Sequence, residues 1–306
     1  MEFLNAGKSI LLKKFKKPPN NAQYVLKRDY AGSSRYVTEH ASSHLLSVAN
    51  CLRLNLSFFL WKDLLRFNLH PDISQELSSN ANIADVATGT GIWMLDLSRE
   101  VPSSTSIHGL DIDLSQCPPP ASFPPNVKIT KWDMFTPPPA ELVGTFDVVH
   151  LRLVTLVIKN NDPTALITNV AQLLKPGGYL QWDEIDTTGM HIESPDDVDF
   201  EAVSKLFRAT KIPKGTRGRD DWQWNLGSYF STLGFPQSAL HTFKYEGAVA
   251  RYWHDMYMVS WEEFITRVMG GLKQNRELIN HAVDESQKGV HVMYPKLVWV
   301  AKKQEA

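Results

Sequence analysis

Short apolar runs alternate with amphipathic runs through most of this chain, and this order limits its fold more than any other feature. Helix-like runs at 92–101 and 162–178 separate strand-like ones. The strand-like runs occupy residues 82–87, 106–111, 127–132, 145–151, 179–185, 238–249 and 289–303. Apolar strands that are separated by helices form parallel sheets covered on both faces. The sequence therefore predicts an α/β fold from about residue 80, a doubly wound, seven-stranded, mostly parallel sheet with an antiparallel last strand.

The residues before this domain have a helical pattern instead. The run "LSFFLWKDLLRFNL" at 56–69 is strongly helical, and residues 22–79 are predicted to form a helical element that packs beside the sheet. The predicted organisation is an N-terminal tail and helical cap or lid at 1–79, followed by one large domain at 80–306.

A loop with two glycines follows the first strand-like run, as it does in many proteins that bind a nucleotide. The dinucleotide fingerprint Gly-x-Gly-x-x-Gly needs a third glycine, but Met94 stands at that position after Gly89 and Gly91. This departure disfavours an NAD-linked oxidoreductase. The loop also lacks Gly-Lys-Ser/Thr, which excludes a triphosphate-binding P-loop. The two glycines still predict a tight turn that brings the backbone close to a ligand.

Two acidic residues frame this loop and favour a different ligand. Asp85 lies four residues before Gly89, and Asp111 ends the next strand-like run. This pattern resembles motif I and its successor in class I S-adenosylmethionine-dependent methyltransferases, which implies a Rossmann-like fold and S-adenosylmethionine as the cofactor. In that arrangement, free amides of the loop receive the methionine carboxylate and Asp85 faces the ammonium group through water. Asp111 accepts hydrogen bonds from both ribose hydroxyls.

Later motifs agree with the same family. Trp132-Asp133-Met134 ends the third strand, where such methyltransferases place an acid that accepts a hydrogen bond from the adenine amine. "FDVVHLR" and "LLKPGGYLQWDE" match the family's fourth and fifth strands in order and kind, so the resemblance covers 82 to about 186. No metal ligands are predicted. The predicted cofactor-binding residues are Asp85, Ala87, Thr88, Gly89, Gly91, Asp111, Ile112, Asp133, Met134 and His150.

Two residues at the ends of strands are candidates for catalysis. His150 and Glu184 lie near the carboxyl ends of the fourth and fifth strands, the side on which open α/β sheets bind ligands. Methyl transfer is an in-line displacement, so a base is needed only when the acceptor is protonated. A phenol would benefit from His150 or Glu184 as a base, whereas a carboxylate would not. Alternatively, His150 is a hydrogen-bonded core histidine and Glu184 pairs with an arginine.

The N-terminal part carries a narrower resemblance. "YVLKRDYAGSSR" at 24–35, with "LNLSFFLWKDLLRFNLHPDI" at 54–73, is similar to the signature of fungal secondary-metabolism methyltransferases, the group that includes LaeA-like proteins. In that group the two pieces run together, whereas residues 36–53 separate them here. The intervening segment is either a translated short intron or a lineage-specific insertion.

Composition narrows the range of partners. Thirty-two basic and thirty-three acidic residues give a net charge of −1, so the chain has no overall field that attracts nucleic acid or anionic membrane. Its two cysteines form neither a disulfide framework nor a zinc pattern, which favours a cytoplasmic location, with a nuclear one as the alternative. The predicted substrate is a small, largely apolar fungal secondary metabolite methylated on oxygen or nitrogen. A noncatalytic, regulatory LaeA-like role is the alternative, and the oligomeric state stays open.

One residue of the glycine loop departs from the family. Ala87 stands where class I methyltransferases usually have glycine, in the stretch Asp85-Val86-Ala87-Thr88-Gly89. An added methyl group is harmless if this residue keeps extended dihedral angles. It would crowd the loop if φ must be positive or if the methionine end of the cofactor passes close by, and whether cofactor binding is impaired stays open.

Overall fold

The apolar runs form strands of one central sheet in the computed structural model, which describes residues 43–210, 222–268 and 273–305. The strands are β1 (Asn82–Val86), β2 (Ser106–Asp111), β3 (Val127–Lys131), β4 (Phe146–Arg152), β5 (Leu174–Ile185), β6 (His191–Glu193), β7 (Gln237–Phe243), β8 (His291–Met293) and β9 (Lys296–Lys302). Side chains of β1, β4 and β5 are buried on both faces, which explains their nearly continuous apolar sequences.

The sheet has the strand order β3-β2-β1-β4-β5-β9-β7. All neighbouring pairs from β3 to β5 are parallel, whereas β9 is antiparallel to both β5 and β7. The predicted fold class, with its antiparallel last strand, is therefore confirmed. The last strand-like run, 289–303, divides into β9 and the short β8, which pairs with β6 in a separate two-stranded sheet.

Helices cover this sheet and complete the core. They are α1 (Ser43–Leu65), α2 (Pro71–Ser74), α3 (Ile92–Leu97), α4 (Thr164–Leu173), α5 (Glu201–Thr210), α6 (Leu226–Thr232), α7 (Ala248–Val268) and α8 (Lys273–Gln287). Leu166 and Val170 of α4 are fully buried, in the core that also contains Trp182 and Phe230. None of the helices in the described part of the chain has the length and apolar character needed to cross a membrane.

The predicted N-terminal helical element is described from Ser43 onward, and residues 22–42 of it lie outside the described residues. Within α1, Phe58 and Trp61 are buried, while Phe59 is exposed. The helix runs through residue 53 into the family-like segment. A domain boundary near residue 79 stays a prediction.

Candidate functional site

The glycine loop connects β1 to α3 at the carboxyl end of the sheet. Ala87, Gly89 and Gly91 all adopt positive φ, at 59°, 58° and 74°. Glycine takes such angles without steric cost, but an L-residue with a Cβ does not. Ala87 therefore adopts a backbone conformation that favours glycine, so the case of positive φ applies, while its effect on cofactor binding stays a prediction.

Met94 in α3 replaces the third glycine of the dinucleotide fingerprint without pushing the helix away from the sheet. Its side chain is fully buried above Gly109 of β2. A Cβ at position 109 would lie 2.5 Å from Met94 Cε and 2.6 Å from its sulfur. The space that the fingerprint creates with a glycine in the helix is thus created here by a glycine in the strand.

The amides of the loop are largely satisfied within the protein. Gly89 N donates to Asp111 Oδ2 at 2.8 Å, Thr88 N donates to Leu110 O at 3.3 Å, and Gly91 N donates to Thr88 O at 2.9 Å. The expectation of free amides is therefore wrong at these three positions. Asp111 Oδ1 accepts a second hydrogen bond, from Asp113 N at 3.1 Å, so this carboxylate holds the loop and also the start of the next turn.

Helix α1 contacts the outer side of this loop. Thr90 Oγ1 donates to Asn55 Oδ1 at 2.7 Å, and Asn50 Nδ2 donates to Gln116 Oε1 at 3.5 Å in the segment after β2. A Cβ at Gly89 would lie 3.8 Å from Leu54. Residues 50–55 of α1 therefore lie against the glycine loop and the segment after β2.

A buried chain of charged side chains crosses three strands next to the loop. Asp85 of β1 lies opposite His150 of β4, and Arg152 of β4 lies opposite Asp183 of β5. His150 Nδ1 is 2.7 Å from Asp85 Oδ1, and its Nε2 is 3.2 Å from Asp183 Oδ2. Arg152 donates to the same Asp183 oxygen from Nε at 3.0 Å and from a terminal nitrogen at 2.6 Å. These four residues are called the charge network below.

The two acids of the network favour a protonated His150. Burial alone lowers the pKa of His150, but hydrogen bonds and charges from Asp183 and Asp85 outweigh it, and the net pKa is raised. Burial alone raises the pKa of Asp183, but the charge of Arg152 and the bond to His150 lower it overall. With an imidazolium at His150, two negative and two positive charges balance. Trp93 also stacks on this imidazole, with ring centroids 3.9 Å apart.

This arrangement gives Asp85 protein partners. Besides His150, it accepts a hydrogen bond from Thr88 Oγ1 at 2.6 Å, and its side chain is almost fully buried. Its predicted contact with the cofactor stays a prediction. A base role for His150 also stays a prediction, and the geometry gives it little support because both ring nitrogens face carboxylates.

Glu184 is fully buried beside the loop that follows β4. Its Oε2 accepts hydrogen bonds from Val154 N and Thr155 N, each at 3.1 Å, and its Oε1 accepts one from Ile185 N at 3.0 Å. Burial raises the pKa of Glu184 to about 7, against the opposing effect of these hydrogen bonds. Both oxygens of Glu184 therefore already accept hydrogen bonds from backbone amides, and its role as a base stays a prediction.

The remaining predicted cofactor residues lie beside the ends of β2 and β3. Asp133 Oδ1 accepts a hydrogen bond from Phe135 N at 3.0 Å, which is the turn-forming arrangement, and its side chain is half-buried. Met134 is half-buried and packs against the core, while Ile112 is 58% exposed. The contacts of these residues with the cofactor stay predictions.

Residues that the sequence did not suggest form an aromatic cluster next to the charge network. The ammonium group of the fully buried Lys296 lies 4.1–5.9 Å from the rings of Trp61, Tyr245, Trp253, Tyr257 and Tyr294. Trp61 also contacts Arg152, whose Cζ is 5.0 Å from the ring centroid. Burial lowers the pKa of Lys296 well below its ordinary value. Lys296 pairs with Ile185, so this cluster lies at the carboxyl end of β5.

An open α/β sheet with a glycine turn at its carboxyl edge and an acid ending the second strand defines a protein of the nucleotide-cofactor-binding class. Comparison with known families is more specific. Residues 60–219 match the model of the methyltransferase domain family. The chain belongs to this family, and the predicted family is confirmed.

Individual relatives are fungal. Methyltransferase grgD of a Penicillium species is 40% identical over 116 residues, which are 36% of this chain and 40% of the relative. N-methyltransferase tcpN of Claviceps purpurea is 32% identical over 133 residues, 43% of this chain and 47% of the relative. Secondary metabolism regulator laeA of Coprinopsis cinerea is 33% identical over 120 residues, 38% of this chain and 28% of the relative. The chain spans less than half the length of each of these relatives.

Replacing Ala87 by glycine is expected to stabilise the protein. Removing the Cβ relieves a left-handed conformation that costs roughly 1–2 kcal/mol. Glycine also raises the conformational entropy of the unfolded chain, which lowers the free energy of unfolding by about 0.4–1 kcal/mol. The net gain in the free energy of unfolding should be about 1 kcal/mol in urea denaturation. Ala171→Gly in α4 is the matched control and should lose about 1 kcal/mol, because its helical backbone favours alanine. A loss of stability in Ala87→Gly would contradict the strain argument.

Proposed function

We propose that this chain is an S-adenosylmethionine-dependent methyltransferase whose cofactor binds at the carboxyl ends of β1, β2 and β3. The observation that carries the proposal is the half-buried carboxylate of Asp111 beside the glycine loop. A carboxylate offers about four acceptor positions, and Gly89 N and Asp113 N use two of them. The remaining capacity suits the two ribose hydroxyls that the resemblance assigns to this residue.

The proposed chemistry depends mainly on alignment. S-adenosylmethionine supplies an activated methyl group, and the protein must hold the acceptor in line and exclude water. We assign the exclusion of water to α1, which contacts the glycine loop through Asn55. The charge network is assigned a positioning role, because it fixes β1, β4 and β5 relative to one another beneath the cofactor.

The acceptor is proposed to be an oxygen or nitrogen of a small, largely apolar secondary metabolite. Support comes from the fungal relatives, one of which is named an N-methyltransferase and another a regulator of secondary metabolism. The name of the Claviceps purpurea relative favours nitrogen as the acceptor atom. A location in the cytoplasm or nucleus stays part of the proposal.

A regulatory protein is the second candidate. It is favoured by the Coprinopsis cinerea relative, which is named a regulator of secondary metabolism. Such a protein would keep the cofactor site but would not methylate a metabolite.

Calorimetry tests the cofactor. Full-length protein titrated with S-adenosylmethionine and with its demethylated product should give heat for both, whereas NAD should give none. The proposal is contradicted if the protein binds neither S-adenosylmethionine nor its demethylated product. The protein should next be incubated with amine and phenol acceptors and the products analysed by mass spectrometry. Cofactor binding without methylation of any acceptor would favour the regulator.

A further inference from the structure

A group of metal-ligating side chains lies outside the site described above. His70 immediately precedes α2, Asp72 lies in α2, and His241 belongs to the edge strand β7. One nitrogen of each histidine and one oxygen of Asp72 all lie within 4.8 Å of one another. Two imidazoles and a carboxylate, with water as the fourth ligand, are a ligand set that zinc uses. We propose that these residues form a zinc site that connects α2 to β7.

The distances between the donor atoms suit zinc. His70 Nδ1 lies 3.4 Å and His241 Nε2 lies 3.8 Å from Asp72 Oδ2. Ligands about 2.0–2.2 Å from a tetrahedral zinc ion stand roughly 3.3–3.5 Å apart. The first distance already matches, whereas the second, and the separation of up to 4.8 Å between the two histidine nitrogens, must shorten when zinc binds. The exposed Asp72 side chain can shorten the second distance by rotation.

Each of the two imidazoles has a nitrogen placed to face Asp72. His70 Nδ1 accepts a long hydrogen bond, 3.3 Å, from Asp72 N, so this nitrogen carries a lone pair rather than a proton. His241 Nε2 is buried without a hydrogen-bond partner among the described residues. The imidazole centroids are only 4.0 Å apart, which disfavours two positive charges. Neutral imidazole is the form that binds metal.

The surroundings would hold the ligands in place. Phe67 packs edge-on against His70 and against Phe243 of β7. His70 N donates to Gln181 Oε1 at 2.8 Å, and Gln181 Nε2 donates to Asp183 Oδ1 at 3.1 Å. The zinc ligand His70 is thus two hydrogen bonds away from the charge network. Partners of this kind orient the ligands and sustain metal affinity.

The proposal is tested by titrating zinc into the chelator-treated full chain by calorimetry. Wild type should bind a single zinc ion, and zinc should raise its melting temperature, because binding to the folded state alone is stabilising. Asp72→Asn and His241→Ala should each weaken zinc binding by at least about 10–100-fold. Asp72 is exposed, so Asp72→Asn tests the ligand without disturbing the core.

His191→Ala is the matched control. His191 is an exposed histidine beside Glu193 on β6, and its loss should leave zinc affinity unchanged. Circular dichroism of the zinc-free variants verifies that they fold. The proposal is overturned if wild type binds no zinc, or if folded Asp72→Asn and His241→Ala bind it as tightly as wild type. Neither outcome depends on methyl transfer.

Discussion

Asp183→Asn is expected to destabilise the protein by about 3–5 kcal/mol, because it removes one partner of a buried ion pair and leaves the other uncompensated. Asp183 is fully buried and accepts hydrogen bonds from Arg152, His150 and Gln181. Asparagine has nearly the same shape, so the loss arises from the charge rather than from a cavity. The measurement is the free energy of unfolding in urea, at constant pH and without cofactor.

Asp255→Asn provides the matched control for this change. Asp255 pairs with Arg251 one helical turn away at 2.8 Å, and both side chains are partly exposed to solvent. Solvent screens such pairs, so the same substitution there should cost no more than about 0.5 kcal/mol. If both substitutions lowered the free energy of unfolding equally, burial of the charge network would add nothing to the contribution of Asp183.

The charge network also predicts how stability depends on pH. The pKa of His150 is raised above its ordinary value of 6.5, so its contribution is fully present below 6.5 and is lost as pH rises through the folded-state pKa. The pKa of Asp183 is lowered below 3.8, so its contribution is present above 3.8 and is lost as pH falls through the folded-state pKa. The difference between wild type and Asp183→Asn should therefore be largest between pH 3.8 and 6.5. A difference that grows steadily above that interval would contradict a protonated His150.

The fold class could be predicted from the sequence because the alternation of strands and helices depends on local patterns. Each apolar run has the length of a strand, and crossover connections, two of them with the helices α3 and α4, make the strands from β1 to β5 parallel. The division of the last strand-like run could not be predicted. Residues 289–303 read as one strand, but the run divides at Pro295 into β8 and β9. Proline has no amide hydrogen to donate to a sheet, and this separates the two strands.

The site could be predicted only in part, because its interactions cross between strands. The sequence identifies Asp85 and His150 as candidates, but their pairing depends on the register of β1 against β4. Asp183 becomes a partner of His150 only because β5 lies on the other side of β4. The sequence is compatible with either an extended or a left-handed backbone at Ala87, and the choice depends on the three-dimensional path of the loop. The rings around Lys296 come from α1, the segment between β7 and α7, α7 itself and the segment between β8 and β9, which no local pattern connects.

Asp111→Ala is expected to weaken binding of S-adenosylmethionine by roughly 5-fold to 150-fold, which corresponds to the loss of about 1–3 kcal/mol of hydrogen bonding. The measurement is calorimetric titration of the full chain. Asp113→Ala is the control in the same turn: it keeps its backbone amide, which donates to Asp111, and should leave the affinity unchanged.

The loss in Asp111→Ala could arise in two ways, and a cofactor analogue separates them. Asp111 holds Gly89 N at 2.8 Å, so the substitution also frees the glycine loop. An analogue of S-adenosylmethionine without ribose hydroxyls should bind wild type and Asp111→Ala equally, if Asp111 acts through the ribose. If the loop alone matters, the substitution weakens the analogue as much as the natural cofactor. The difference between the two ligands is a double-mutant cycle that isolates the contact between Asp111 and the ribose. A difference of zero, with the natural cofactor still weakened, would assign Asp111 to shaping the loop instead.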